Sequence, residues 1–354
     1  MAIRVLVVDD SAVVRSVLSR TLDKEIDIKV VGCAPDPYVA REMILEHEPD
    51  VMLLDVEMPR MDGITFLSKI MAHRPMPVII VSSLTERGSE LGVEALRIGA
   101  VDVMCKPGAA YTIGELGPEL VERVRAAARA HIRPRTVVAG EAPRAMLKTA
   151  LLKTTNQVLA IGASTGGTVA IEDVLTGLPA NTPGIVIVQH MPEHFTKSFA
   201  ERLNGLCAMT VSEAKAGDSV VTGVALIAPG GKHLLLKRDG ARYLVDVRDG
   251  PPVNRHRPSV DVLFRSVATT AGRNAVGVIL TGMGGDGAQG MLEMKQAGAR
   301  TIAQDEDSCV VFGMPKVAIQ LGGVDEVLPL RNIAGRVCEM LSDERQLRVR
   351  SAGG

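Results

Sequence analysis

The stretch Val5-Leu6-Val7-Val8-Asp9-Asp10-Ser11 reads as a strand that ends in two carboxylates and a helix cap. Four consecutive apolar residues, with no polar alternation, require burial on both faces, as in a parallel sheet. Val14, Val17, Leu18 and Leu22 then recur at helical spacing after Ser11, so the strand feeds an amphipathic helix. The same unit returns along the chain. Ile28 to Val31, Val51 to Leu54, Val78 to Val81 and Val101 to Met104 read as further strands, with helical patterns at Tyr38 to Leu45 and Ile64 to Met71 and a closing helix around Val121 to Ala130. This predicts a doubly wound, five-strand parallel α/β domain over residues 1–125.

Prolines and scattered basic residues follow, from Arg133-Pro134-Arg135 to Pro143-Arg144, and predict a linker over residues 126–154. The alternation then restarts. Val158 to Ile161, Ile185 to Val188, Ala225 to Ile227, Val276 to Leu280 and Val327 to Leu328 read as strands, and Val169 to Leu175, Glu193 to Leu203, Val260 to Thr270 and Gln289 to Ala297 as helices. A second, Rossmann-like α/β domain is expected over residues 155–345. Within it, Leu234-Leu235-Leu236 and Tyr243-Leu244-Val245 flank Arg238-Asp239-Gly240, a hairpin signal for a local antiparallel addition. From Ser342 the chain turns polar, and a frayed tail is expected, with residues 346–354 outside the domain.

Composition bounds the function classes. The 354 residues hold 40 basic and 41 acidic side chains, a net charge of −1, which removes the strong positive field of a nucleic-acid binder. Hydrophobic residues make up 46% and charged residues 23%, so neither disorder nor a fibrous repeat fits. Aromatic residues are only 2%, with no Trp, which disfavours an aromatic sugar-binding cleft. Cys33, Cys105, Cys207, Cys309 and Cys338 are scattered with no C-x-x-C pair, so reduced thiols are expected rather than a disulfide framework or zinc site. The N-terminal apolar run is too short and too soon acidic for a signal peptide, and no stretch approaches the roughly 18 apolar residues of a membrane span. A cytoplasmic location is expected, without membrane insertion.

In a parallel sheet, function collects at the carboxyl ends of the strands. In the first domain these ends carry Asp9-Asp10, Asp55, Ser82-Ser83 and Cys105-Lys106-Pro107. Three carboxylates, a hydroxyl and an ammonium on one rim suit a hard divalent cation together with a phosphoryl group. Helix capping alone would account for one such aspartate but not for four strand ends together. The set Asp9-Asp10, Asp55 followed by Met58-Pro59 and Met61-Asp62-Gly63, Ser82 and Lys106-Pro107 resembles the response-regulator receiver family over about residues 1 to 125. The resemblance implies that Asp55 accepts a phosphoryl group from a histidine kinase. It implies that Asp10 and Asp55 hold Mg²⁺ with the backbone carbonyl of Glu57, Asp9 supporting, and that Ser82 and Lys106 read the phosphoryl group. Where many receivers carry an aromatic near the end of strand five, Val103-Met104-Cys105 stands here, which leaves an aromatic rotamer switch unsupported.

In the second domain, strand Val158 to Ile161 runs into Gly162-Ala163-Ser164-Thr165-Gly166-Gly167. The turn could cradle a pyrophosphate, but it lacks the middle glycine of the dinucleotide fingerprint and an acidic residue about 20 positions on. It also reads as a nucleophile elbow presenting Ser164. Two more strand ends bear on the choice: Gln189-His190-Met191-Pro192, and Thr281-Gly282-Met283-Gly284-Gly285-Asp286-Gly287. If the strands are neighbours, Ser164, His190 and Asp286 meet in one crevice, the arrangement an activated serine requires. Singly, each has an ordinary alternative: a helix N-cap, a satisfied loop histidine, a turn aspartate. His194 is the nearest rival to His190, while His233 and His256 lie in less ordered contexts. In the triad reading His190 takes the Ser164 proton, Asp286 orients the ring, and amides of Thr165 and Gly166 or of Met283 and Gly284 bind the developing oxyanion. The basic loop Asn254-Arg255-His256-Arg257 could favour an acidic substrate, and Ser259 also fits a helix cap.

Taken together, the receiver motifs, Ile161-Gly162-Ala163-Ser164-Thr165-Gly166-Gly167, Gln189-His190-Met191-Pro192 and Leu280-Thr281-Gly282-Met283-Gly284-Gly285-Asp286-Gly287 resemble the chemotaxis protein-glutamate methylesterase (CheB) family over nearly the whole chain. The resemblance implies hydrolysis of glutamate γ-methyl esters on the cytoplasmic helices of chemoreceptors, with release of methanol, and deamidation of receptor glutamines. It implies a chemotaxis histidine kinase as phosphodonor, gating by Asp55 phosphorylation, Mg²⁺ at the receiver and no cofactor in the esterase site. A monomer is expected, with proteins rather than nucleic acid as partners.

Overall fold

The structure is a computed structural model that describes residues 2–83, 85–106, 113–130 and 156–351. It divides into two compact units, Met1–Val137 and Val138–Gly354. Of the expected linker, residues 131–154 lie outside the described residues.

The first unit runs β1 (Ile3–Val8), α1 (Ala12–Leu22), β2 (Ile28–Ala34), α2 (Pro37–His47), β3 (Val51–Asp55), α3 (Gly63–His73), β4 (Val78–Ser82), α4 (Glu86–Ile98), β5 (Asp102–Cys105) and α5 (Ile113–Ala127). Its sheet is parallel in the order β2-β1-β3-β4-β5. The apolar runs that identified the strands are buried along the whole length of β3 and β4, each such Val, Leu or Ile side chain contributing on the order of 1.5–3 kcal/mol. Ser11 caps α1 by accepting from Val14 N at 3.4 Å, which leaves Asp10 exposed at the rim rather than capping.

The second unit runs β6 (Val158–Ala163), α6 (Gly167–Thr176), β7 (Gly184–Gln189), α7 (Phe195–Leu206), β8 (Thr210–Glu213), β9 (Val224–Ile227), β10 (His233–Asp239), β11 (Arg242–Arg248), α8 (Val260–Thr270), β12 (Ala275–Ile279), α9 (Ala288–Gln296), β13 (Arg300–Gln304), α10 (Met314–Gln320), β14 (Glu326–Leu328) and α11 (Leu330–Ser351). Seven parallel strands lie in the order β14-β13-β12-β6-β7-β9-β8. β6 is central, and the chain order reverses across it, so the carboxyl ends of β12, β6 and β7 meet at a topological switch point, the place where open α/β sheets carry their sites. The hairpin β10-β11 forms a separate antiparallel sheet whose Leu234, Leu236, Tyr243 and Val245 share a core with Leu263 and Val267 of α8.

Both units are therefore parallel-sheet α/β folds with a local hairpin, as the sequence predicts, but several elements differ. α4, β8, β13, α10 and α11 are additional to the elements that the sequence predicts. The frayed tail from Ser342 is also corrected, because α11 continues to Ser351. Ile333, Val337 and Leu341 anchor its buried stripe, and the Glu, Arg, Gln and Leu that follow are strong helix formers, so a polar composition propagates the helix instead of ending it. Among the described residues no helix is long and apolar enough to cross a membrane.

Candidate functional site

The carboxyl ends of β1 and β3, neighbours in the sheet, bring Asp9, Asp10 and Asp55 together with a carboxylate oxygen of each within 4.8 Å of the others. Lys106, just past β5, reaches across: its Nζ lies 2.7 Å from Asp55 Oδ2 and 3.0 Å from Asp9 Oδ2. Asp55 is fully buried, and its second oxygen accepts from the amide of Glu57 at 3.0 Å. Burial raises the Asp9 carboxyl above the usual range, and the Asp55 charge adds to this, while Lys106 opposes it. Burial works against the Lys106 charge, but hydrogen bonding and attraction from Asp55 and Asp9 outweigh it and raise its pKa. Apart from Lys106, buried Asp9 Oδ2 has no partner among the described residues. Glu57 turns its carboxylate to Ser83 Oγ. Ser82 stands at the end of β4 as expected, but its hydroxyl donates to Gly88 O at 3.1 Å, a partner supplied by the unexpected helix α4.

In the second unit Ser164 follows β6, His190 follows β7, and Asp286 lies in the loop from β12 to α9. All three side chains are largely buried. His190 Nε2 is 2.8 Å from Asp286 Oδ2, while His190 Nδ1 is buried without a hydrogen-bond partner. That leaves Nδ1 as the nitrogen available to a serine hydroxyl. Asp286 also accepts from Asn254 Nδ2 at 2.8 Å, Ser259 Oγ at 2.8 Å and Val260 N at 2.6 Å. Burial pushes the Asp286 carboxyl up, but His190, Asn254 and Ser259 prevail and hold it far below the usual carboxylate range. It is an anion at neutral pH.

The backbone around Ser164 is tightly held. Helix α6 is capped by Gly166 with no side-chain bond, so the alternative of Ser164 as its N-cap does not hold. Gly166 has φ +76°, and a Cβ there would meet Val310 Cβ at 2.6 Å, so glycine is required on both counts. A Cβ on Gly282 would lie 2.7 Å from Ser164 Cβ, which brings the Gly282-Met283 backbone alongside the serine. Gly166, Met283 and Gly284, three of the expected oxyanion donors, have amides that make no hydrogen bond among the described residues. The Thr165 carbonyl accepts from Thr281 Oγ1 at 3.0 Å. His194, the rival histidine, is exposed at the start of α7. Burial pushes the Cys309 thiol up to about 12 and Cys207 and Cys338 to about 11, so none of these competes as a nucleophile.

Four participants escape sequence reasoning. Gln189 Nε2 donates to Ser164 O at 2.9 Å and His190 O at 3.2 Å, tying two strand ends together. Asn254 and Ser259 hold Asp286, and the His256 ring stacks on His190 with centroids 3.7 Å apart. The sequence marked residues 254–257 as a basic loop; the structure puts Asn254 and His256 of that loop on the triad groups themselves. His233 is a structural residue, accepting from Ser259 N at 3.3 Å.

A phosphoacceptor-type carboxylate cluster in one unit and an acyl-transfer constellation in the other define a response regulator with an enzymatic output, a hydrolase. Similarity to known proteins narrows this class. The response regulator receiver domain family matches residues 5–115, and the CheB methylesterase family matches residues 159–337. The "Protein-glutamate methylesterase/protein-glutamine glutaminase 4" of Anaeromyxobacter dehalogenans is 61% identical over 341 residues, 96% of each chain. The enzyme of the same type from Methylobacillus flagellatus is 54% identical over 99% of this chain and 100% of its own. The solved Thermotoga maritima CheB methylesterase catalytic domain aligns with TM-score 0.52 at 40% identity, covering 53% of this chain and all of that one. The chain belongs to the CheB methylesterase family.

Proposed function

We infer that the chain hydrolyses γ-methyl esters of protein glutamate, and deamidates glutamine, through Ser164, His190 and Asp286. The observation that carries this reading is the buried His190 Nε2–Asp286 bond together with an unpartnered His190 Nδ1, at the end of the strand next to the one that Ser164 follows. Ser164 Oγ attacks the ester carbonyl carbon as His190 Nδ1 takes its proton, and Asp286 stabilises the imidazolium. The oxyanion forms beside the amides of Gly166 and Met283, with Thr165 and Gly284 as further donors. Its collapse breaks the bond to methoxide, which leaves as methanol with the proton from His190. Water, deprotonated by His190, then cleaves the glutamyl-serine ester and frees the glutamate carboxylate. With a glutamine substrate the same steps release ammonia.

The receiver unit supplies control. Asp55 accepts the phosphoryl group from a histidine kinase, and Lys106, now paired with both carboxylates, transfers its contact to the phosphoryl oxygens while Ser82 reads the same group. Three clustered carboxylates against one ammonium, with Asp9 Oδ2 short of partners, fit a hard dication. Asp10, Asp55 and the Glu57 carbonyl would hold Mg²⁺, with Asp9 supporting, and the ion would supply neutralisation of phosphoryl oxygens. The partners that follow are a chemotaxis kinase and chemoreceptor cytoplasmic helices, met by a monomer in the cytoplasm.

The deciding experiment is methanol release from methylated receptors by the wild type and by Ser164→Ala. A loss of at least about 10³-fold is expected, with phosphorylation of Asp55 intact. Undiminished hydrolysis would remove Ser164 from the reaction.

A further inference from the structure

The turn Val253-Asn254-Arg255-His256 reaches two triad groups at once. Asn254 Nδ2 donates to Asp286 Oδ1 at 2.8 Å and to Asp261 Oδ2 at 2.7 Å. The His256 ring lies over His190 with centroids 3.7 Å apart and planes inclined by only 13°. Between them, Asn254 and Arg255 have φ of +50° and +67°, a left-handed pair that residues other than glycine keep only where the surroundings impose it. The surroundings here are explicit. Val253 N donates to His256 O at 3.0 Å and His256 N to Val253 O at 2.9 Å, the reciprocal pairing that closes a two-residue turn. His233 fastens the flanks, with Nε2 3.0 Å from Pro251 O and Nδ1 accepting from Ser259 N.

The His190 ring has one hydrogen bond in this arrangement, through Nε2, and its Nδ1 has none. One bond fixes one nitrogen but leaves the ring plane free to tilt about it. Since Nδ1 must face Ser164 within hydrogen-bond reach when substrate binds, something else has to set the plane. A parallel ring at 3.7 Å does so. It also places a π face against the imidazolium that forms during acylation, which such a face attracts.

We propose that His256 is a positioning residue for His190: its ring, held by the left-handed Asn254-Arg255 turn, fixes the plane in which His190 exchanges protons with Ser164. The role rests on the esterase reading above and deepens it. It requires a flat ring at position 256 and no proton transfer by His256 itself.

The test uses the full-length, phosphorylated protein and methylated receptors. His256→Ala should lower kcat by about 10- to 100-fold, the scale on which misplacing a reacting group acts, while KM stays within about threefold. His256→Phe keeps the flat ring and should recover kcat to within about threefold. A second measurement does not depend on the substrate. In ¹⁵N-histidine NMR spectra, with His190→Gln identifying the signals, wild-type His190 should carry its proton on Nε2 in slow exchange, and His256→Ala should exchange that proton at least about tenfold faster. Wild-type kcat and an unchanged His190 spectrum in His256→Ala would overturn the proposal. So would a His256→Phe variant as slow as His256→Ala, which would assign the role to a ring nitrogen, or a rise confined to KM, which would make His256 a substrate contact. If the wild type releases no methanol, the esterase reading fails, and the His190 spectra still decide whether the stack positions the ring.

Discussion

His190 Nε2 lies 2.8 Å from Asp286 Oδ2, although the strands that precede them, β7 and β12, do not touch: β6, which Ser164 follows, runs between them. The bond therefore spans the carboxyl end of the central strand, the strand after which Ser164 stands. Asp286 is committed to this geometry by further donors from Asn254, Ser259 and the amide of Val260.

Replacing Asp286 with Asn keeps the shape but presents an amide where His190 needs an acceptor. Methanol release should fall by about 10³- to 10⁴-fold, as when a triad aspartate is lost. The same residue predicts a pH effect on stability. Burial opposes ionisation of Asp286, but its donors lower its pKa in the folded state. A lowered folded value gives stabilisation that is complete above the unfolded value of about 4 and is lost as pH falls below it. Denaturant midpoints measured from pH 6 downward should thus decline below about pH 4, and more steeply in the wild type than in Asp286→Asn. Parallel declines would contradict the lowered pKa.

Much of this site was legible because its residues stand at or just past the ends of apolar runs. Asp9 and Asp55 directly follow buried apolar residues, and Ser164 and His190 come within three residues of them, so locating the strand end located the chemistry. Legibility stops where burial is polar or the backbone unusual. In β13 the polar Thr301 and Gln304 break up the apolar run, yet both are fully buried, satisfied by Asp325 and by the Thr281 amide. α4 was hidden by Gly88 and Gly92, and with it the Gly88 carbonyl that takes the Ser82 hydroxyl. Asn254 and His256 could not be placed because their turn uses positive φ without glycine, and because stacking between residues 190 and 256 leaves no local pattern.

Arg123 offers a test confined to the first unit. Its guanidinium is buried, paired with Asp102, and donates to Val103 O at 3.0 Å and Glu119 Oε1 at 3.0 Å. Burial works against its charge, but Asp102 and Glu119 more than compensate and raise its pKa. Breaking a buried ion pair by removing one partner costs about 3–5 kcal/mol. Arg123→Ala should lower the unfolding free energy of the receiver transition by that amount, read from the shift of its denaturant midpoint. The transition of the second unit and the basal methanol release should not move. A loss below about 1 kcal/mol, the scale of an exposed pair, would mean that water reaches Asp102.

Phosphorylation supplies the last test, and it follows from how Asp55 is held. One of its oxygens accepts from Glu57 N at 3.0 Å and the other from Lys106 Nζ at 2.7 Å, with Asp9 on the same ammonium at 3.0 Å. A phosphoryl group added to Asp55 brings further negative charge into a cluster already short of cations, so transfer should depend on a dication as well as on the carboxylate. With a radiolabelled small phosphodonor, the wild type should incorporate label in the presence of Mg²⁺ and lose at least about 90% of it when the metal is chelated, a tenfold effect worth about 1.4 kcal/mol. Asp55→Asn should incorporate none, and its methanol release should stay at the basal rate whether or not the donor is present. Label on Asp55→Asn equal to that of the wild type would move the phosphoacceptor to Asp9 or Asp10. Activation of Asp55→Asn by the donor would break the link between this cluster and the esterase.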